Sequence, residues 1–160
     1  HHDVRFVLLG SGDPDQEAYF RWLRDRYPAK VGVHIGYDNG LAHRVEAGSD
    51  LFLMPSRYEP CGLNQMYSLK YGTVPLVRST GGLADTVERF EDDRGTGFVF
   101  YEHTSSALED TLAHALEVWR DQAAWRRMQL RGMEKDFSWD AQVTRYEDLY
   151  AAIMGALLLA

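Results

Sequence analysis

The chain has 160 residues and a formal net charge of −7, with acidic and basic residues interspersed. This balance argues against nucleic acid and against an anionic membrane surface as partners. Hydrophobic residues make up 45% and charged residues 26%, which excludes an intrinsically disordered chain. A single cysteine excludes an internal disulfide framework and indicates a reducing, cytoplasmic compartment. The apolar run AAIMGALLLA is too short to span a bilayer.

Strand and helix patterns alternate from the beginning of the chain. VRFVLLG, Val4 to Gly10, is a continuous apolar run typical of a strand buried on both faces of a parallel sheet. SGDPDQ follows, in which Asp13 can cap a helix and Gln16 can complete a capping box. VGVHIG predicts a second strand, and DNGLAHRVEAG predicts a short helix that ends at Gly48.

The same alternation continues through the middle of the chain. DLFLMP, VPLVRS and GTGFVF predict three further strands. Helices are predicted between them, over Leu63 to Tyr71 and after the turn in GGLADTVE. Strands and helices at this spacing predict βαβ units with right-handed crossovers.

After Phe100 the pattern becomes helical. Ser106 and Glu109 predict a capping box for the first helix, a second helix covers Gln122 to Lys135, and a third starts after Ser138. The apolar residues on one face of the third helix are Trp139, Val143, Tyr146, Tyr150, Ile153 and Leu157. This face is longer than one small sheet needs, so we expect part of it to be exposed or buried by self-association.

The sequence therefore predicts a Rossmann-like α/β fold. It consists of a parallel sheet of about five strands with flanking helices and a helical C-terminal extension. We interpret residues 1–160 as one domain, with an α/β core over 3–136 and a closing helix over 137–160.

Ligands of such sheets bind in the loops that follow the carboxyl ends of the strands. The loop after Gly10 begins like a dinucleotide fingerprint, but Asp15 stands where its third glycine belongs, which favours a plain tight turn. Tyr37, in the next loop, is either a stacking partner for a base or a half-buried loop tyrosine. Gly81 and Gly82 form either an anion-tolerant turn or the simple start of a helix.

The loop in PSRYEPCGLN carries the strongest signal. Gly62 lets the backbone approach a ligand closely, and the amides of Leu63 and Asn64 lie at a predicted helix N-terminus, which favours phosphate. Glu59 would repel a phosphate, so it more plausibly faces an uncharged part such as sugar hydroxyls. Cys61 lacks the surroundings of a cysteine-hydrolase nucleophile. Asp, Glu and His do not cluster at metal-ligand spacing, so no metal site is predicted.

The stretch from Gly36 to Glu88 resembles the C-terminal domain of bacterial glycogen synthases and plant starch synthases, and FSWD near Phe137 is similar too. These are retaining glucosyltransferases of the GT-B architecture. The resemblance implies that the donor is bound by Gly36, Tyr37, Cys61, Gly62, Leu63 and Asn64. In it, Tyr37 stacks on the nucleotide base, Glu59 is the catalytic carboxylate that holds the glucose hydroxyls, and the amides of Leu63 and Asn64 face the distal phosphate.

The resemblance also implies the substrates. The donor would be a nucleoside diphosphate glucose, most often ADP-glucose, the acceptor an α-1,4-glucan, and neither a metal nor another cofactor would be needed. Broader relatives carry a glutamate where this chain has Tyr67, which leaves the ribose contact open. In the family, two parts come before the segment that this sequence resembles. They are the N-terminal acceptor domain and the first strand of this domain, whose segment supplies the phosphate-binding arginine and lysine. We therefore expect an incomplete domain that is inactive alone.

Two other interpretations remain open from the sequence. One is a sister retaining glycosyltransferase that uses UDP-glucose or acts in sucrose metabolism. The other is a non-catalytic nucleotide-binding module, which would bind the base without transferring sugar.

Overall fold

The computed structural model describes residues 3–158, without the side chains of residues 156–158. The chain forms two compact units, His1–Ser49 and Asp50–Ala160, each with its own sheet. The five strands of the described residues all pair in parallel, as the sequence predicts, but they form a two-stranded and a three-stranded sheet. Apolar periodicity identifies strands and does not identify their pairing partners. The assignment of residues 1–160 to a single domain stays a prediction.

The first unit contains two βα pairs. Its elements are β1 (Phe6–Gly10), α1 (Pro14–Arg26), β2 (Val31–Ile35) and α2 (Asn39–Ala47). Asp13 caps α1 as predicted, because its Oδ1 accepts from the amides of Asp15 at 2.9 Å and Gln16 at 3.2 Å. The side chain that reaches back is Glu17 rather than Gln16, accepting from the Gly12 amide at 3.1 Å. The start of α1 is thus set by local sequence.

The second unit holds the three-stranded sheet and the remaining helices. Its elements are β3 (Leu51–Met54), α3 (Asn64–Tyr71), β4 (Val74–Arg78), α4 (Gly81–Thr86), β5 (Phe98–Phe100), α5 (Ser105–Arg120), α6 (Gln122–Glu134) and α7 (Trp139–Leu158). The strand order is β3-β4-β5. Leu51 is in register with Val74, and Leu76 with Phe98. The central strand β4 is buried over residues 74–77, in keeping with its continuously apolar sequence.

The main core of the second unit lies between its sheet and the helices α5 and α6. It is formed by Val74, Leu76, Phe98, Phe100, Ala115, Trp125 and Met128. The rings of Phe98 and Trp125 stack with their centroids 6.0 Å apart. This core fixes the carboxyl ends of β3, β4 and β5, from which the candidate loops emerge.

The start of α5 differs from the predicted capping box. The cap is Thr104, whose Oγ1 accepts from the Ala107 amide at 3.2 Å. Thr104 has extended backbone angles, as a capping residue requires, whereas Ser106 already lies in the first helical turn. The prediction of Ser106 as the cap is therefore wrong.

The apolar face of α7 is exposed. Its described side chains range from 45% exposed at Val143 to 76% at Trp139. The expectation that part of this face is exposed is confirmed, while the predicted contribution of Leu157 falls outside the described side chains. No helix in the described part of the chain is both long enough and apolar enough to cross a membrane.

Candidate functional site

The loop from Pro55 to Leu63, called here the β3–α3 loop, leaves the carboxyl end of β3 and leads into α3. Glu59 lies half-buried within it. Among the described residues, no hydrogen bond or ion pair engages its carboxylate. Its main-chain carbonyl oxygen accepts from the Gly82 amide at 3.0 Å. The backbone of Glu59 is thus anchored while its acidic group remains available to a ligand.

Gly81 and Gly82 form the start of α4 and lie against the β3–α3 loop. A Cβ atom at position 81 would come within 2.0 Å of the Glu59 carbonyl oxygen, and Gly81 has a positive φ of 44°. The pair forms the start of a helix in the structure, and its role as an anion-tolerant turn stays a prediction. The missing side chains leave room for the backbone of the loop.

Gln65, in the first turn of α3, holds the loop from its other side. Its Nε2 donates to the carbonyl oxygens of Cys61 at 3.2 Å and Gly62 at 3.0 Å. The same nitrogen lies 3.1 Å from Oγ1 of Thr86, which donates in turn to the Gly82 carbonyl. Neither Gln65 nor Thr86 is predicted from the sequence as part of the site. A glutamine placed directly after a glycine-containing loop is the signal that could have indicated the first of them.

Arg78, the last residue of β4, fixes the beginning of the loop. Its Nε donates to the Ser56 carbonyl oxygen at 2.8 Å, and its terminal nitrogens reach the carbonyls of Arg57 and Tyr101. No role for Arg78 is predicted from the sequence. A lone cation at the end of an otherwise apolar strand was the available signal, since such a charge needs acceptors close by.

The N-terminus of α3 is open. Leu63 occupies the capping position, and no described side chain caps the helix there. The first amides of α3 therefore keep their donors, and the helix dipole places partial positive charge beside them. Gly62 has φ +73°, a conformation suited to glycine. The Cys61 thiol is exposed, with its Sγ 3.6 Å from the Gly62 carbonyl oxygen.

Gly36 and Tyr37 belong to the first unit. Gly36 follows β2 with φ +138°, and its amide donates to the Gly10 carbonyl oxygen at 3.0 Å. Tyr37 is 88% exposed, which excludes a half-buried ring for the described chain. Asp38 then caps α2 by accepting from the Leu41 amide at 2.8 Å. The tyrosine ring is thus presented on a short, well-anchored turn.

The structure brings Glu59, Cys61, Gly62, Leu63 and Asn64 together on one anchored loop and the start of its helix. Their roles toward a ligand stay predictions, as do those of Gly36 and Tyr37. A separate cavity of about 410 Å³ lies at the carboxyl end of β5, lined by Arg89, Tyr101, Asp110 and neighbouring residues. It contains none of the predicted site residues.

The sequence of the chain matches a known protein family. Residues 1–129 match the family described as glycosyl transferases group 1. The chain belongs to this family. Its parallel α/β fold agrees with that family.

Curated relatives of this chain are named glycogen synthase. The protein of Anaeromyxobacter dehalogenans (strain 2CP-C) is 59% identical over 152 residues, which is 94% of this chain and 32% of the relative. That of Koribacter versatilis is 53% identical over 147 residues, 91% of this chain and 30% of the relative. The chain thus spans about a third of the length of these relatives, and its resemblance to them is confirmed.

Solved structures agree with this assignment. The catalytic domain of starch synthase IV from Arabidopsis thaliana, bound to ADP and acarbose, superposes with a TM-score of 0.82 at 34% identity. The match covers 92% of this chain and 32% of that one. Sucrose-phosphate synthase from Thermosynechococcus elongatus gives 0.66 at 23% identity over 94% of this chain and 38% of its own, a likeness of fold alone.

Proposed function

We propose that this chain is the donor-binding part of a glycogen or starch synthase. The enzyme transfers glucose, with retention of configuration, from ADP-glucose to the non-reducing end of an α-1,4-glucan in the cytoplasm. The observation that carries this proposal is the arrangement of the β3–α3 loop. Its anchored backbone holds the Glu59 carboxylate, which no described residue engages, next to a helix N-terminus that no described side chain caps. The names of the relatives support the same substrates.

The two ends of this loop suit two parts of a nucleotide sugar. A carboxylate accepts hydrogen bonds from the hydroxyl groups of glucose, which are neutral and do not repel it. The open amides of Leu63 and Asn64 are donors for the diphosphate, with the helix dipole favouring its negative charge. Cys61 and Gly62 lie between the two and would line the glucose.

Tyr37 supplies the contact with the nucleotide base in this proposal. An exposed aromatic ring stacks on any base, so it contributes affinity without deciding between adenine and uracil. The preference for ADP-glucose over UDP-glucose is therefore proposed from the relatives rather than from Tyr37.

In the proposed reaction the bond between the glucose C1 and the diphosphate oxygen breaks, and the oxygen of an acceptor hydroxyl forms the new bond to C1. The proton of that hydroxyl passes to the departing diphosphate. Negative charge develops on the departing diphosphate, and preorganised donors at that position lower the barrier. No metal or other cofactor takes part. The acceptor glucan is held by a partner segment of the full enzyme, an N-terminal domain that also completes the cleft.

Reconstitution tests this proposal. The chain replaces the segment that it matches in the Anaeromyxobacter dehalogenans glycogen synthase, and the chimera is assayed for glucose transfer to glycogen from ADP-glucose and from UDP-glucose. We expect transfer from ADP-glucose by the chimera and none by the 160-residue chain alone. A chimera that prefers UDP-glucose would indicate a sister transferase, and one that binds ADP without transferring glucose would indicate a non-catalytic module.

A further inference from the structure

Gln65 is a buried polar side chain that donates hydrogen bonds to the backbone of the candidate loop. The residue is fully buried, with 0% of its surface exposed. Its single Nε2 group faces three acceptors, the carbonyl oxygens of Cys61 and Gly62 and the hydroxyl of Thr86. A carboxamide has two hydrogens to donate, so all of its donor capacity is directed at the loop and at α4.

The orientation of this carboxamide is fixed by what surrounds it. Oε1 has no hydrogen-bond partner among the described residues and faces the α-carbon of Gly62. A Cβ atom on Gly62 would lie 2.5 Å from that oxygen, so the glycine hydrogens are what permit the contact. Exchanging the nitrogen and oxygen positions would set an oxygen against two carbonyl oxygens, which repel it. Gln65 and Gly62 are therefore matched to each other.

The consequence for the loop follows from peptide geometry. In a planar trans peptide the carbonyl and the following N–H point in opposite directions. Because Gln65 draws the carbonyls of Cys61 and Gly62 toward itself, the N–H groups of Gly62 and Leu63 point away from it. These two amides stand at the uncapped start of α3, where the helix dipole reinforces them.

We propose that Gln65 is a positioning residue for diphosphate binding. It orients the two carbonyl groups inward so that the amides of Gly62 and Leu63 join that of Asn64 in facing the distal phosphate of the donor. This inference rests on the proposed function, which supplies the diphosphate. Gln65 touches no substrate and acts through the backbone that it holds.

The test compares ADP with AMP, which lacks the distal phosphate. Both dissociation constants are measured by titration calorimetry on the chimeric full enzyme and on its Gln65→Met variant, which keeps the side-chain length and loses the donor. We expect the dissociation constant of ADP to rise about tenfold, as for the loss of a well-oriented charge-assisted hydrogen bond, while that of AMP changes less than twofold.

Two further variants keep the test decisive if Gln65→Met folds poorly. Thr86→Val removes the hydroxyl that joins Gln65 to Gly82, so it should lower the preference for ADP over AMP, as Gln65→Met does. Thr86→Ser keeps a hydroxyl and should retain the parental preference. Gln129→Met is the matched control. That glutamine also donates to a backbone carbonyl, that of Gly72 at 2.6 Å, and Gly72 lies at the other end of α3.

The outcomes separate the two proposals. Equal weakening of ADP and AMP by Gln65→Met, or the same change of preference in Gln129→Met, overturns the positioning role and leaves the proposed function standing. A parent chimera that binds no ADP overturns both. A selective loss of the distal-phosphate contribution, with the parental preference retained in Thr86→Ser, supports the positioning role.

Discussion

A Cβ atom on Gly82 would lie 1.9 Å from the carbonyl oxygen of Cys61, far inside van der Waals contact. The Gly82 amide also donates to the carbonyl of Glu59, so the start of α4 and the β3–α3 loop touch along their backbones. No flexible side chain lies at this contact to absorb a displacement. Any residue larger than glycine must therefore push the loop or the helix away.

Gly82→Ala should consequently damage both stability and activity. We expect a loss of roughly 1–3 kcal/mol in the free energy of unfolding, the usual cost of overpacking, and at least a tenfold fall in glucosyl transfer by the chimera. Gly155→Ala in α7 is the control, because a Cβ there meets nothing within 4 Å. That change should stabilise by up to about 1 kcal/mol. If Gly82→Ala has the same free energy of unfolding and the same rate of glucosyl transfer as the parent, the contact is refuted.

Tyr37→Ala should mainly raise the KM for the nucleotide sugar. Stacking contributes equally in the ground and transition states, so kcat should change little. The expected loss in ADP affinity is about 1–3 kcal/mol, by analogy with base stacking on aromatic side chains. Tyr37→Phe keeps the ring and serves as the control in the same binding titration.

Glu59→Ala should lower kcat by roughly a hundredfold while the affinity for ADP barely changes. The sugar ring gains positive charge as its bond to phosphate breaks, so a carboxylate on its hydroxyls binds more strongly in the transition state. Steady-state rates and ADP titrations with both alanine variants decide the assignment. It fails if Glu59→Ala weakens ADP binding as much as Tyr37→Ala does and leaves kcat intact.

Two tryptophans offer a matched comparison of core and surface. Trp125 is 3% exposed and stacks on Phe98, whereas Trp139 on α7 is 76% exposed. Trp125→Ala should lower the free energy of unfolding by about 3–5 kcal/mol. Trp139→Ala should change the free energy of unfolding of the isolated chain by no more than about 0.5 kcal/mol. Equal losses in denaturant titrations would show that α7 is packed in solution.

Glu46→Gln should change the pH dependence of stability. Burial raises the pKa of the Glu46 carboxyl, and the nearby His43 opposes this to a smaller extent. A group whose pKa is raised in the folded state contributes its full stabilisation below its unfolded-state pKa of about 4.3. This stabilisation is lost as the pH rises through the folded-state pKa. The neutral glutamine should thus raise the thermal midpoint at pH 7 and give no gain near pH 4. Glu147→Gln, at an exposed position of α7, should shift the midpoint little at either pH.

Local features were the ones that the sequence predicted well. The cap at Asp13 and the stop at Gly48 depend on neighbours within a few residues, and both occur in the structure. The cap of α5 was missed because Thr104 and Ser106 are both capping residue types two positions apart. Their backbone angles decide between them, and sequence pattern does not specify those angles.

The contacts that hold the candidate loop were beyond a local analysis. Gly82 reaches Cys61 across 21 positions of sequence, and Arg78 reaches Ser56 across 22. Such pairs arise only when β3 and β4 lie side by side, which periodicity alone does not reveal. The loop residues themselves were recognisable because glycine and a helix start leave a local signature.

The β3–α3 loop is held almost entirely through its main chain. The acceptors that anchor it are the carbonyl oxygens of Ser56, Arg57, Glu59, Cys61 and Gly62. A carbonyl is the same at every residue type, so the path of the loop does not depend on the side chains of Arg57 or Tyr58. These positions are consequently suited to saturation libraries for new sugar or nucleotide selectivity, because substitutions there can vary the chemistry presented to a ligand without rebuilding the scaffold beneath it.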